Sequence, residues 1–592
     1  MPKHNILERI QTNQRVPRNG FDLSYRRLFT ADAGELLPIY CEHVNPNEHF
    51  RINPQVFLRT ATLNTAAYTR IKQNVEFFFI PYRLLLTQLP QAIVGTNWNN
   101  STQFYKVLRN AHVPCFKVGN FLGNPSVDGY YPVNCLSEIN PFNPLCDYND
   151  SSTSAATGQA AHSAKDMFGF NMTDKSSKLA QLLGYGSTIH GTASSDNAMF
   201  SVSTLNFQAY QKVYNDFYRN PLLEPELTDY FNLDRFYQAR TVDAGVEDGK
   251  ILGPSHAHDV GTKDDDLGLF RELVTLRYRN WKKDLYTHLR PDFAGADFLT
   301  LGLSSPILSQ SYSADTSFTG RPVSGVEQSG VNGAVGGFSI SNLRSAYALD
   351  KLLFVTQNAK DGSYNEQIKA HFGFDPHLDN QKVQFIGSVD APVTISDVEA
   401  TSTTDNSTLG QIAGKGVSLT NGGFEFDTRE HGIIMGVFSI VPEVDYPDYG
   451  VDPMLTKVYG SDFYKPEFGD LGYQPMTFSG LSASTINSGH SSQETILGYT
   501  NRYAEYKSRI DKVDGEFLGD LNAWVTTRNL SDYANQLKSG ISNVFQKINP
   551  SYLNNIFALR ADGKHAQFLC NAFFNVQAIR PMSVYGVPYS NI

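Results

Sequence analysis

Charge is scarce in this 592-residue chain: Asp, Glu, Lys and Arg make up 18% of it, against roughly 25% in an ordinary soluble domain. The net balance is −10, which argues against a free-standing nucleic-acid binder, because neutralising phosphates needs clustered Lys and Arg. Cysteine is scarce too. Cys41, Cys115, Cys135, Cys146 and Cys570 are odd in number, widely spaced and without a CxxC pair, so neither a zinc ribbon nor a disulfide framework is indicated. Reduced thiols in a cytosol are the simplest account. No apolar run reaches the length of about 18 residues that a membrane-spanning helix needs. The start, MPKHNILERIQTNQ, has no apolar core for a signal peptide, so we expect a soluble protein that matures where it is made.

Catalytic patterns are missing as well. His256 and His258, with Asp259 beside them, could offer two imidazoles to a metal. They sit in a polar Gly/Asp loop without a flanking apolar strand, an HExxH or an obvious third His ligand. The run Asp264–Asp266 lacks the spacing of a calcium loop and reads better as a solvated loop. GQIAGKG (Gly410–Gly416) is one residue short of a phosphate loop, and Gly416 stands where Ser or Thr should meet the metal. There is no G-x-S-x-G elbow, and nothing selects a carboxylate pair for glycoside hydrolysis. The expectation is no enzyme, no catalytic residue, no cofactor and no metal site.

Aromatic residues are abundant: 12% of the chain, with 39 Phe and 31 Tyr against 3 Trp. A chain short of charge and rich in Phe, Tyr, Asn, Ser and Gly can bury extra surface against copies of itself, although a secreted glycan-binding β protein has a similar composition. The sign of the charge is uneven. Lys3, Arg9, Arg15, Arg18, Arg26 and Arg27 face only Glu8 and Asp22 within residues 1–27, a local balance of +4 on an acidic protein. The bland alternative is an ordinary solvated terminus.

Strand patterns occupy both ends. Glu35–Tyr40, Phe50–Leu58 and Asn74–Ile80 come first; His431–Val444 is apolar on both alternating faces and predicts a strand covered on both sides. His565–Gly586 predicts one or two closing strands, with Pro581 at a break or edge. Helical spacing lies between them. Ser203–Arg219 puts Phe207, Tyr210, Tyr214 and Phe217 on one stripe, and Ser341–Val355 carries Leu343, Tyr347 and Phe354. Ser363 and Glu366 make a capping box for a helix that Gly373 stops, and a short helix is expected around Leu179–Leu183. These stripes read as core packing. Long irregular stretches near 120–197, 304–337 and 398–423 read as insertions with binding or surface roles. The sum predicts a basic N-terminal arm, 1–30, and one mainly β domain, 31–592, an elaborated β-sandwich whose chain closes on its own start.

A set of ordered motifs adds a family resemblance. Arg18–Ser24 (RNGFDLS), Ala33–Tyr40 (AGELLPIY) and Val75–Leu84 (VEFFFIPYRL) resemble the entry, first strand and F-F-F-x-P-x-R-L signature of the major capsid proteins of microviruses, small single-stranded DNA bacteriophages. The similarity is to the gokushovirus-like or a related divergent branch. Tyr210–Arg219, Ile368–Gly373, Glu430–Gly436, Tyr506–Phe517, Leu521–Trp524 and Arg580–Tyr585 continue it in the expected order.

The resemblance implies an eight-stranded antiparallel jelly roll with long loop and helical insertions. It implies a structural protein of the virion capsid, assembled in the bacterial host cytoplasm, with sixty copies forming a T=1 icosahedral shell around a circular single-stranded DNA genome. Implied partners are copies of itself, the packaged DNA, a small basic DNA-associated virion protein, a minor or pilot protein and a host surface receptor. One surface loop can project at the threefold axes, with 304–337 and 120–197 as the candidates. In that setting Lys3, Arg9, Arg15, Arg18, Arg26 and Arg27 would contact nucleic acid or a neighbouring subunit. Phe77–Phe79 could stack on bases, but a central strand needs such residues for packing. A host- or glycan-binding β-sandwich surface protein is the alternative, and an enzyme the third reading.

Overall fold

Phe50, Ile52, Val56 and Leu58 alternate with Arg51, Gln55 and Arg59, and this period of two makes His49–Thr60 a strand with one buried face. The same logic runs through the molecule, which we describe from a computed structural model at residues 17–86, 89–94, 115–117, 175–185, 201–226, 273, 275–291, a few positions within 348–356, 364–373, 382–399, 412–446, 450–460, 462–469, 473–481, 496–526, 541–558 and 566–584. Its strands are β1 (Asn19–Asp22), β2 (Tyr25–Ala31), β3 (Leu37–Val44), β4 (His49–Thr60), β5 (Ile71–Pro81), β6 (Cys115–Lys117), β7 (Ser201–Ser203) and β8 (Gln384–Pro392). They continue with β9 (Thr394–Glu399), β10 (Ile412–Asn421), β11 (Phe424–Asp427), β12 (Gly432–Pro442), β13 (Tyr473–Thr477), β14 (Ile496–Asn501) and β15 (Phe568–Arg580).

Two antiparallel sheets dominate. A seven-stranded sheet runs β1-β15-β4-β10-β9, with β2 also on β15 and β11 also on β4; a four-stranded sheet runs β3-β12-β5-β8. β13 pairs with β14, and β6 with β7. The inner faces of the two large sheets meet through aromatic rings: Phe29 against Phe438, Tyr40 against Phe574, Phe77 against Phe424 and Phe79 against Phe426, with centroids 5.2–5.3 Å apart. Phe77, Phe78 and Phe79 are all buried, so the aromatic strand packs and offers no face to bases. β12 is buried on both faces, as a run apolar on both alternating faces predicts, and Ser439 is its one polar side chain. Its second face lies under the helix Leu205–Val213.

Closure on the start of the chain is literal. β15 pairs with β1, β2 and β4 in one uninterrupted strand that ends at Arg580, so Pro581 stands at the break in the run 565–586, as expected. The arm boundary at 30 falls inside β2, since the chain from Asn19 onward is already part of the sheet. The stretch 398–423 also differs from its reading as irregular: β10 fills Ile412–Asn421, and 400–411 lie outside the described residues. Gly, Ser, Lys and Thr hide the strand in the sequence, but the glycines are required by packing. A Cβ at Gly414 would run into the carbonyl of Thr65, and one at Gly416 would lie 2.5 Å from Thr60 Cγ2. From Ile412 to Gly416 the pattern that mimicked a phosphate loop is a strand in close contact.

The helical stripe over Ser203–Arg219 is corrected at its end. An α-helix, Leu205–Val213, passes into a π-helical turn, Tyr214–Tyr218, whose wider winding turns Tyr218 inward and leaves Phe217 exposed. Gly373, at φ +65°, ends the helix Tyr364–Phe372, and a helix at Lys175–Leu182 covers the expected Leu179–Leu183. Ser341–Val355 lies mostly, and 304–337, His256, His258, Asp259 and Asp264–Asp266 wholly, outside the described residues.

Candidate assembly surfaces

β2 sorts the two adjacent arginines by its pleat. Tyr25, Arg27, Phe29 and Ala31 share the inner face, whereas Arg26, Leu28 and Thr30 point away from the core. Arg27 is therefore built in. Its Nη1 donates to the Ile39 carbonyl at 2.8 Å and its Nη2 to the Gln181 carbonyl at 3.3 Å, and burial lowers the guanidinium pKa. Arg26 stays on the surface with Nε 2.9 Å from Asn571 Oδ1, and Arg18 is exposed. Lys3, Arg9 and Arg15 lie outside the described residues. The sequence held a signal for Arg27 that composition missed: it keeps register with the apolar residues of its own strand.

The outer face of the seven-stranded sheet is unusually apolar for a surface. Cross-strand register aligns Leu28, Asn571, Phe57 and Leu419 in one row, with Leu569, Arg59 and Val417 in the next. Leu28, Leu419 and Leu569 are 65%, 61% and 53% exposed. Arg59 lies over the Phe57 ring at 5.1 Å, and Arg26 flanks the other side. This is a contiguous apolar stripe with cations and amides at its edge, the composition of a surface that becomes buried in a complex.

A second apolar surface projects from the chain after β12. Leu455, Val458 and Tyr459 are all more than 70% exposed, and Phe463 and Tyr464 are about half exposed. The base of this lobe is firmly held. Lys457 Nζ is 2.6 Å from Glu505 Oε1, and Gln474 Nε2 donates to Glu505 Oε2 at 2.6 Å. Tyr464 packs edge-on against Tyr503 with centroids 5.0 Å apart. A rigid base under an exposed apolar tip suits contact with another protein surface. Burial pushes the Cys41 thiol up to about 12 and raises that of Cys570 as well.

The sequence model of a family described as "Capsid protein (F protein)" matches residues 8–115 and 304–590. Two phage proteins are similar over almost their whole lengths. Capsid protein VP1 of Chlamydia phage 1 is 23% identical over 97% of this chain and 96% of its own. Capsid protein VP1 of Bdellovibrio phage phiMH2K is 23% identical over 96% of this chain and 95% of its own.

Proposed function

Because the chain belongs to the phage capsid protein (F protein) family, we propose that it is the structural subunit of a virion shell that assembles from copies of this chain. The family match, which reaches both ends of the chain, carries the reading. The surfaces support it. A closed shell needs complementary patches on different parts of the subunit, and the Leu28–Leu419 stripe and the Leu455–Tyr464 lobe are two separate apolar patches. Burial of each such side chain contributes about 1.5–3 kcal/mol to association before the entropic costs.

The finer reading is an eight-stranded jelly roll, in which β1, β9 and β11 are additions. The eight are β2-β15-β4-β10 in one sheet and β3-β12-β5-β8 in the other, an order in which the chain passes repeatedly between layers. We read the shell as T=1, sixty subunits around circular single-stranded DNA, formed in the bacterial cytoplasm. A small basic protein would neutralise most phosphates, and the basic segment 1–30 the rest. A minor or pilot protein and a host receptor complete the partners, with surface loops at the host contact. Electron microscopy of the purified protein tests this: uniform small icosahedral shells are expected, and a protein that stays monomeric under all assembly conditions refutes it.

A further inference from the structure

The two apolar surfaces differ in shape. Leu455, Val458 and Tyr459, the most exposed apolar side chains of the lobe, form a knob. The outer face of the seven-stranded sheet is instead hollowed into an open groove of about 650 Å³. Leu28, Phe57 and Leu569 line its floor, and Lys178, Gln181 and Leu182 of the helix Lys175–Leu182 line one wall.

Both surfaces are held in place before any contact. Asp462 Oδ2 accepts from the backbone N–H groups of Val458 and Tyr459 at 3.2 and 2.9 Å. The Asp462 N–H donates back to the Tyr459 carbonyl at 2.9 Å, which closes the turn at the tip. Beneath it, Lys457 Nζ bonds to Glu505 and lies 5.1 Å from the centre of the Tyr506 ring. The groove wall is tied down in the same way. Lys178 Nζ is 2.5 Å from Glu35 Oε2, and the Gln181 carbonyl accepts from Arg27. Side chains already ordered lose little entropy on association.

The charges are complementary. Arg59 lines the groove and Arg26 shares the outer face of β2 with Leu28. Neither forms an ion pair among the described residues; Arg26 bonds to an amide and Arg59 lies over a ring. Residues 455–469 hold Lys457, Asp462, Lys465 and Glu467. Lys457 is committed to Glu505, which leaves the knob net acidic. An acidic knob against a basic groove is attractive, whereas knob against knob repels.

We propose that the knob of one subunit seats in the groove of a neighbouring copy. Tyr459 lies over Leu28 and Leu569, and the knob carboxylates turn toward Arg26 and Arg59. Each copy carries one knob and one groove, so the contact is heterologous. It repeats from copy to copy and closes as a ring about an axis, whereas a knob-to-knob contact would stop at a pair. Placing that ring in a virion shell rests on the capsid reading.

The test puts the photoreactive residue p-benzoylphenylalanine at Tyr459 of the full-length chain. Assemblies are made from a mixture of unlabelled and heavy-isotope-labelled subunits and irradiated. Crosslinks should join labelled to unlabelled copies, from the peptide containing position 459 to peptides containing Leu28, Phe57 or Leu569. Tyr459→Ser alters an exposed ring, so the subunit should melt like wild type while association weakens at least about 30-fold. Adding Leu28→Asn to Tyr459→Ser should cost less than the two separate losses combined, because both remove one contact. Crosslinks from knob to knob or to any other surface, unchanged association of Tyr459→Ser, or strictly additive losses overturn the pairing. Shells that form with such results leave the capsid reading standing. A wild type that stays monomeric overturns the pairing and the capsid reading together.

Discussion

Lys457 and Glu505 form an ion pair 2.6 Å long whose side chains are 10% and 3% exposed, and it holds the exposed apolar lobe to the body of the subunit. Burial opposes ionisation of Glu505. Bonds from Lys457, its own backbone N–H and Gln474 outweigh it and keep the carboxyl below its ordinary value of 4.5. A carboxylate whose folded pKa is lowered contributes stability above the unfolded value and loses it as pH falls through the folded one. Melting of wild-type subunits should therefore weaken as pH drops below about 4.5, and Glu505→Gln should show a shallower acid decline. Lys457→Ala leaves a buried charge unpaired and should cost about 3–5 kcal/mol at neutral pH. An acid decline identical in wild type and Glu505→Gln would remove the pair from the account.

Gly34 is fixed by two independent demands. Its φ is +81°, and an added Cβ would lie 2.6 Å from Ile548 Cβ and 2.8 Å from the Ile548 carbonyl oxygen. Its backbone also joins two elements, donating to Ile440 at 2.8 Å and accepting from Arg279 at 2.7 Å. Gly184, at φ +95°, has open space where a Cβ would go. Gly34→Ala should thus lose more than the roughly 1–2 kcal/mol of left-handed strain that Gly184→Ala loses. Chemical denaturation of both variants measures the difference, and equal losses would mean that Ile548 yields freely.

Much of this architecture was legible because its signals are local. Apolar residues on both alternating faces of β12 marked a strand covered on both sides, and β15 was visible as a closing strand. β10 was hidden because the residues that let it approach Thr60 and Thr65 are glycines, which carry no strand preference. Phe217 and Tyr218 exchanged places because a π turn departs from the 3.6-residue period on which the stripe was read. The ring cluster of Phe78, Phe217 and Phe385 was invisible for a different reason: its members are far apart in the chain, and only the pairing of β5 with β8 and the placement of the π-helical turn bring them together.

The apolar stripe gives a prediction that separates assembly from folding. Leu28, Leu419 and Leu569 face outward, so changing all three to Asn should leave subunit stability within about 0.5 kcal/mol per site. Association should suffer far more, because each buried leucine contributes about 1.5–3 kcal/mol. Sedimentation velocity should show the triple variant as subunits under conditions where wild type runs as shells. Normal shells from the variant would exclude this face from the contacts between copies.

The neighbouring arginines of β2 should behave differently, although composition treats them alike. Arg27→Glu removes donors from the Ile39 and Gln181 carbonyls and puts an acid on the inner face of the sheet. It should destabilise the subunit by about 1–3 kcal/mol, visible as a lowered melting temperature before any assembly step. Arg18→Glu/Arg26→Glu alters only exposed side chains and should melt like wild type. If the basic segment meets the genome or a neighbouring subunit, the double variant should yield fewer DNA-filled particles from equally stable protein. Centrifugation separates filled from empty shells, and their salt dependence separates the two contacts: loss of filled shells alone, largest at low salt and shrinking as salt screens the wild-type contact, assigns Arg18 and Arg26 to phosphates. Loss of filled and empty shells together assigns them to the subunit interface. A double variant that packages and assembles normally removes these arginines from both roles.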